Sequence, residues 1–339
     1  MKNIINFAEN RNVYMPNAKI KINLLKSIKN IFNYPDYKNS AVNECISKYF
    51  NINIDNLMVT NGSLEGINLL INVLDKKKAY LFEPTFWGYE DALKRFNYKI
   101  EKEILDEELN YNYDKINLAS QKTKLLFLCN PNNPTLSYIP KNILLNIIKN
   151  NSYCHFIIDE TMLIFDEKYE EKTVSKYVES FENLSVVMSF SKIFGIAGLR
   201  TGVLFSNKQV IEATKKCQIP YSLGIIQESL IPNILNNKDY LNKTKKKIYE
   251  NKQTMCDYLR QIECKVIESN TNFILIQLPK SIDANKLTGY LLEKGLEVRN
   301  IKEAYPILSG DWIRISIHKP KYNKILVKTI TNYINNERR

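Results

Sequence analysis

"SFSKIFGIAGLRTG", residues 189–202, holds three of the chain's ten glycines around one lysine and one arginine. In a chain so poor in glycine, such a cluster marks positive φ or close backbone approach. The hydroxyls of Ser189 and Ser191 flank Lys192, and Arg200 follows on the far side of the glycines. Together they predict an anion bound beside an amine.

Outward from this stretch, short apolar runs alternate with helical patterns. Strands are expected at 56–60 (NLMVT), 79–82 (AYLF), 124–129 (KLLFLC), 155–159 (HFIID), 184–190 (LSVVMSF) and 201–206 (TGVLFS). Amphipathic helices are expected between them at 63–74 and 140–151. Strands separated by helices imply βαβ units and a mostly parallel sheet covered on both faces, an α/β fold. Ligands of such sheets bind beyond the carboxyl ends of the strands.

The last hundred residues change character. A long helical pattern at 238–262 leads to an apolar strand at 271–278, a helix at 283–294, strands at 296–300 and 312–317, and a closing helix. This predicts a smaller α+β domain. The first forty residues, with "YMPN" and "YPDY", read as an arm packed on something else. The expected division is 1–44 as arm, 45–236 as large domain and 237–339 as small domain, two domains being the norm for 339 residues.

Composition narrows the function. The 44% hydrophobic and 25% charged residues are those of a soluble globular protein. No run is long and apolar enough to span a bilayer, and "MKNIINFAENRN" lacks the apolar core of a signal peptide, so a cytoplasmic protein without membrane partners is expected. Six scattered cysteines without a C-x-x-C pair and only two histidines argue against a metal site or a disulfide framework. The net charge of +12 is spread over a chain saturated with Lys, Ile and Asn, and this reads as solvated faces rather than a nucleic-acid surface. Arginine is scarce, so Arg200, Arg299 and Arg314 stand out where a planar bidentate fork is needed.

Each expected strand end carries a chemically useful group. "NGSLEG" (61–66) places a strand, a turn and a helix start, which serves as a helix cap or as a phosphate cup. "EPTFWGY" (83–89) places Phe86 and Trp87 at a strand end, for the core or for a ligand. "NPNNPT" (130–135) makes a rigid turn and also holds the neutral amide of Asn133 at the sheet mouth. Asp159 closes an apolar strand, as a cap for the next segment or as the partner of a cation. A phosphate cup, an aromatic, an amide, a carboxylate and a lysine on one edge are the parts that pyridoxal 5′-phosphate (PLP) requires.

At this point the chain resembles the fold-type I PLP-dependent enzymes of the class I/II aminotransferase superfamily. The branch is that of histidinol-phosphate aminotransferase and threonine-phosphate decarboxylase. The resemblance runs along nearly the whole chain and is carried most specifically by residues 189–202, similar to S-x-S-K-x-[FY]-x-x-[AP]-G-x-R-x-G. It implies the PLP-dependent transferase fold, with Lys192 as the Schiff-base lysine and proton shuttle and Asp159 as the partner of the pyridine nitrogen. It further implies Phe86 stacked on the ring and Asn133 on the 3′-oxygen. Ser63, Leu64, Ser189, Ser191 and Arg200 would hold the phosphate.

Tyr34 of "YPD" (34–36) matches a tyrosine that reaches the neighbouring subunit's phosphate, which implies a homodimer. Arg314 matches the arginine that grips the substrate carboxylate, with Asn133 beside it. Tyr14, in a substrate-covering arm at 10–16, is a candidate contact for a substrate phosphate.

Three positions depart from the pattern. Met162 in "DETM" stands where a tyrosine is usual, Leu136 where glycine is usual, and "NRNVYMP" lacks the arm's Pro and Gly. The expected activity is amino transfer between glutamate, as amino donor, and the carbonyl counterpart of a small phosphorylated amino substrate, such as histidinol phosphate or another amino-alcohol phosphate. The alternative is decarboxylation of threonine or serine phosphate, and a binding module without turnover is the third reading. The complete set of Lys192, Asp159 and Arg200 speaks against the last.

Overall fold

The computed structural model describes residues 4–14 and 18–338. Met15 and Pro16 of the arm motif lie outside them. Among the described residues thirteen strands run in chain order: β1 (Ile5–Asn6), β2 (Leu57–Thr60), β3 (Lys78–Glu83), β4 (Lys99–Ile104), β5 (Leu125–Cys129), β6 (His155–Asp159), β7 (Leu184–Ser189), β8 (Gly202–Ser206), β9 (Lys265–Ile267), β10 (Phe273–Gln277), β11 (Leu296–Glu297), β12 (Arg299–Asn300) and β13 (Trp312–Ser316).

Seven of them form the large sheet in the order β2-β8-β7-β6-β5-β3-β4. Its pairs are parallel except those of β8, which runs antiparallel to both neighbours. The central strands β5, β6 and β7 are buried at every position, because helices cover both faces and the sequence answers with unbroken apolar runs. The helix Ser63–Leu74 buries Ser63, Gly66, Ile67, Leu70 and Ile71, the spacing of one helical face. All six strands expected in this region are present to within one residue at each end.

The strand β4 was not expected. Its sequence KIEKEI has no apolar run, because it is an edge strand half open to water. Its charges are paired locally, Lys78 with Glu101 at 3.0 Å and Lys102 with Glu83 at 2.8 Å, which also guards the edge against further pairing.

The second sheet is four-stranded, in the order β12-β13-β10-β9 and antiparallel throughout. The strand expected at 296–300 divides at Val298. β11 pairs in parallel with β1, and β12 joins the four-stranded sheet, so one short stretch serves two partners. The N-terminal segment is therefore built in rather than loosely packed: Ser316 donates its N–H to the Phe7 carbonyl (2.9 Å) and its hydroxyl to that of Glu9 (2.7 Å). The expected arm also contains a helix, Ala18–Ile28. Among the described residues no helix is long and apolar enough to cross a membrane.

Candidate active site

The carboxyl ends of β3, β5, β6 and β7, with the start of the helix Ser63–Leu74, wall a cavity of about 460 Å³. Ser63, Leu64, Phe86, Asn133, Asp159, Ser189, Lys192, Arg200 and Arg314, nine of the residues singled out in the sequence, all line it.

Lys192 sits in the one-turn helix Phe190–Ile193 directly after β7. Its Nζ has no hydrogen-bond partner among the described residues. Desolvation lowers the amine's proton affinity, and the positive charge of Arg314 adds to this, with smaller effects from Arg200 and Arg11 against the opposing Glu9. Behind it, the Asn12 N–H and side chain bond the carbonyls of Lys192 (3.3 Å) and Ile193 (2.7 Å), so the N-terminal segment clamps the lysine helix.

The phosphate cup depends on two glycines. Gly62 caps the helix at φ 84° with no side-chain bond to the first-turn N–H groups; the Glu65 N–H turns to the Gly62 carbonyl (3.2 Å), which leaves those of Ser63 and Leu64 for an anion. A Cβ on Gly62 would come within 2.8 Å of the Arg200 guanidinium. Gly202 allows β8 to pass against the same turn, since a Cβ there would stand 2.7 Å from the Ser63 nitrogen. Within residues 189–202, Gly195 takes positive φ (65°) and Gly202 the close approach, whereas Gly198 faces open space. The remaining left-handed residue is Arg200 itself, at φ 50°.

Asp159 is 5% exposed and has no ion-pair partner among the described residues. Its Oδ1 accepts from the Thr161 N–H and its Oδ2 from the Tyr89 hydroxyl, both at 2.9 Å. Burial pushes the carboxyl up and these neutral donors pull it down, with the upward effect larger. Asn133 Oδ1 accepts from Arg314 Nη1 at 2.6 Å, which turns its amide nitrogen away from the arginine. Arg314 also reaches the Ala8 carbonyl and lies over the Phe273 ring at 5.4 Å. Desolvation and then the neighbouring Arg299 push its guanidinium down to about 10, so it remains charged at neutral pH. Arg299 and Arg314 are register partners across β12 and β13, and neither has an ion-pair partner among the described residues.

Three expectations meet a different geometry. Ser191 is fully buried and lies behind Arg200, accepting from its Nη1 at 3.4 Å, so it braces the guanidinium instead of lining the cavity. Tyr14 turns away from the cavity: its hydroxyl accepts from Asn251 at 2.5 Å and its ring faces Lys247, both on the helix Lys238–Gln261. Its candidacy as a substrate-phosphate contact finds no support in this arrangement. Tyr34 is 84% exposed and meets the Tyr221 ring at 5.1 Å, outside its own cavity.

The cavity also holds Tyr89, Thr161, Glu9 and Tyr305, which the sequence reading left unassigned, and Arg299, which it marked only through the scarcity of arginine. For Tyr89 a signal existed, since Phe86 and Tyr89 are three apart at a helix start and share a face.

An unpartnered desolvated amine, a buried carboxylate without a cation, and an uncapped helix start beside an arginine fit PLP at its aldehyde, ring nitrogen and phosphate. The chain belongs to the aminotransferase class I and II family, whose model matches residues 2–330, and its cofactor is PLP. It is 33% identical to the histidinol-phosphate aminotransferase of Francisella philomiragia over 313 residues, 88% of this chain and 82% of that one. Its fold matches the histidinol-phosphate aminotransferase of Clostridium acetobutylicum with a TM-score of 0.91 at 23% identity, covering 98% of this chain and 100% of the other. It also matches L-threonine-O-3-phosphate decarboxylase from Porphyromonas gingivalis with a TM-score of 0.85 at 21% identity, covering 98% and 100%.

Proposed function

We propose that this aminotransferase moves an amino group between glutamate and a small phosphate ester of an amino alcohol, with histidinol phosphate the first candidate. The observation that carries this reading is the cross-strand pair Arg299 and Arg314, two guanidinium forks lining one cavity, neither in an ion pair among the described residues although Glu9 and Glu297 also line it. A dianionic phosphate matches two forks, and the same arginines accept the carboxylate of glutamate in the other half of the reaction.

In this reading the cofactor phosphate is held by the Ser63 and Leu64 N–H groups, the Ser189 hydroxyl and Arg200, which Ser191 braces. Phe86 covers one face of the ring. The Asn133 amide nitrogen donates to the 3′-oxygen, because its Oδ1 is occupied by Arg314. Asp159 keeps its charge by facing a protonated ring nitrogen. When bound, PLP supplies an electron sink for the charge left at the substrate α-carbon. Lys192 Nζ, its proton affinity lowered by burial, takes the proton from that carbon and holds it.

The division into 45–236 and 237–339 then separates the cofactor residues from Arg299 and Arg314. The working form is a cytoplasmic homodimer. Ile22, Leu25, Ile28, Ile31 and Phe32 form an exposed apolar run, with Phe32 94% exposed, and Tyr34 beside it is free to reach a second copy's cofactor phosphate.

The test is a comparison of kcat/KM for histidinol phosphate and for histidinol, with 2-oxoglutarate as acceptor. A preference for the phosphate ester of at least about 100-fold is expected from two charge-assisted contacts, and it should collapse in Arg299→Ala. Equal rates for the two substrates would refute the phosphate reading. Release of carbon dioxide from threonine phosphate, without amino transfer, would establish the decarboxylase reading instead; Met162 lines the cavity without the hydroxyl that the family's tyrosine supplies.

A further inference from the structure

Asp159 takes hydrogen bonds from Thr161 and from the hydroxyl of Tyr89, a residue that composition alone places in the core. Tyr89 is 1% exposed. Its ring stacks on Phe127 with centroids 5.3 Å apart and 24° between planes, and it meets Phe86 edge-on at 5.4 Å and 82°. Those contacts fix the ring, and the fixed ring aims its hydroxyl at Asp159 Oδ2, 2.9 Å away. Thr161 supplies the other hydrogen bonds to this carboxylate, and the neighbouring thiol and phenol turn elsewhere. Cys129, the register partner of Asp159 on β5, directs its thiol to the Pro131 carbonyl (3.4 Å), and the Tyr111 hydroxyl goes to the Cys129 carbonyl (3.0 Å). Burial, and then the charge of Asp159, hold the Tyr89 phenol well above its ordinary range, so it keeps its proton and can donate it to Asp159.

We infer that Tyr89 is a positioning residue for the cofactor, joining two arms of the site. Its hydroxyl holds Asp159 ionised and in one rotamer toward the ring nitrogen, while its ring buttresses Phe86 against the ring face. The inference rests on the reading of Asp159 as the partner of the ring nitrogen, and the experiment keeps the two separable.

Tyr89→Phe preserves the ring and its packing and removes one hydroxyl. The apo forms of wild type, Tyr89→Phe, Asp159→Asn and the double variant are titrated with PLP from pH 5 to 9, with thermal melting of each apoprotein as a check on folding. Losing a hydrogen bond to a buried carboxylate is expected to weaken PLP binding about 10-fold or more. Binding requires ionised Asp159, so affinity falls on the acid side. Without the Tyr89 donor the carboxyl holds its proton to higher pH, and the acid limb moves upward. In the Asp159→Asn background, Tyr89→Phe should change neither affinity nor pH dependence.

Unchanged affinity and acid limb in Tyr89→Phe, with Asp159→Asn impaired, would overturn the inference and leave Asp159 in its role. An equal loss from Tyr89→Phe in both backgrounds would also overturn it, since the effect would then pass through packing alone. Wild-type affinity in Asp159→Asn would remove the premise itself.

Discussion

Glu160 is the residue whose replacement is expected to stabilise the protein, and only above a certain pH. Its carboxyl is 1% exposed, with Oε1 accepting the Val174 N–H at 2.7 Å and Oε2 set 2.5 Å from the Thr173 hydroxyl. Burial, together with the charge of neighbouring Asp159, raises it from 4.5 to about 7, against the pull of those two donors. Between these limits the folded protein holds a proton that the unfolded chain has released. Stability contributed by that proton is complete below 4.5 and is lost as pH rises through about 7. At about 1.4 kcal/mol per pH unit, the loss from pH 5 to 8 comes to about 3 kcal/mol.

Glu160→Gln keeps the shape and removes the ionisation. The variant gives up about 1 kcal/mol in hydrogen bonding at pH 5 and should exceed wild type by about 2 kcal/mol at pH 8. Urea unfolding of the two apoproteins at both pH values measures the difference directly, because groups common to both cancel. Parallel stability profiles with no crossover would refute the reasoning and return Glu160 to an ordinary carboxylate.

Other outcomes follow from the same geometry. Gly202→Ala drives a Cβ to within 2.8 Å of three backbone atoms, so a loss of about 1–3 kcal/mol is expected in denaturant unfolding, together with weakened PLP binding through displacement of the Ser63 turn. Lys192→Ala should abolish turnover while leaving PLP reversibly bound, as read by dialysis and absorbance; residual turnover within 10-fold of wild type would contradict its role. Phe32→Asp introduces a charge into the exposed apolar run and should convert a dimer to monomers in sedimentation velocity, with an unchanged mass counting against that face.

The sequence was most readable where burial was complete on both sides. β5, β6 and β7 are continuous apolar runs, and helices on both faces leave no other reading for them. β4 was hidden because an edge strand half in water carries alternating charges, as disordered or helical surface does. The split of 296–300 was equally hidden, since nothing in LEVRN states that Leu296 and Arg299 choose different sheets.

At the site, residues with specialised chemistry in a defined motif were legible: Lys192, Asp159, Asn133 and Arg200 all reach one cavity. Tyr89 was not, because a tyrosine on a helix face looks like core until its hydroxyl is seen on Asp159. Ser191 and Tyr14 show the converse. A motif gives the order of residues along the chain, but the short helix at 190–193 turns one serine away, and the packing of 12–14 on the helix Lys238–Gln261 takes the tyrosine with it.

The central claim is amino transfer carried out at Lys192 in a cavity that binds a phosphate ester. Its most direct test is the visible spectrum of the purified PLP-loaded protein before and after L-glutamate. The account predicts a yellow protein that bleaches to the amine form of the cofactor and regains its colour with 2-oxoglutarate. A protein that stays yellow with glutamate, yet releases carbon dioxide from threonine or serine phosphate, would contradict it.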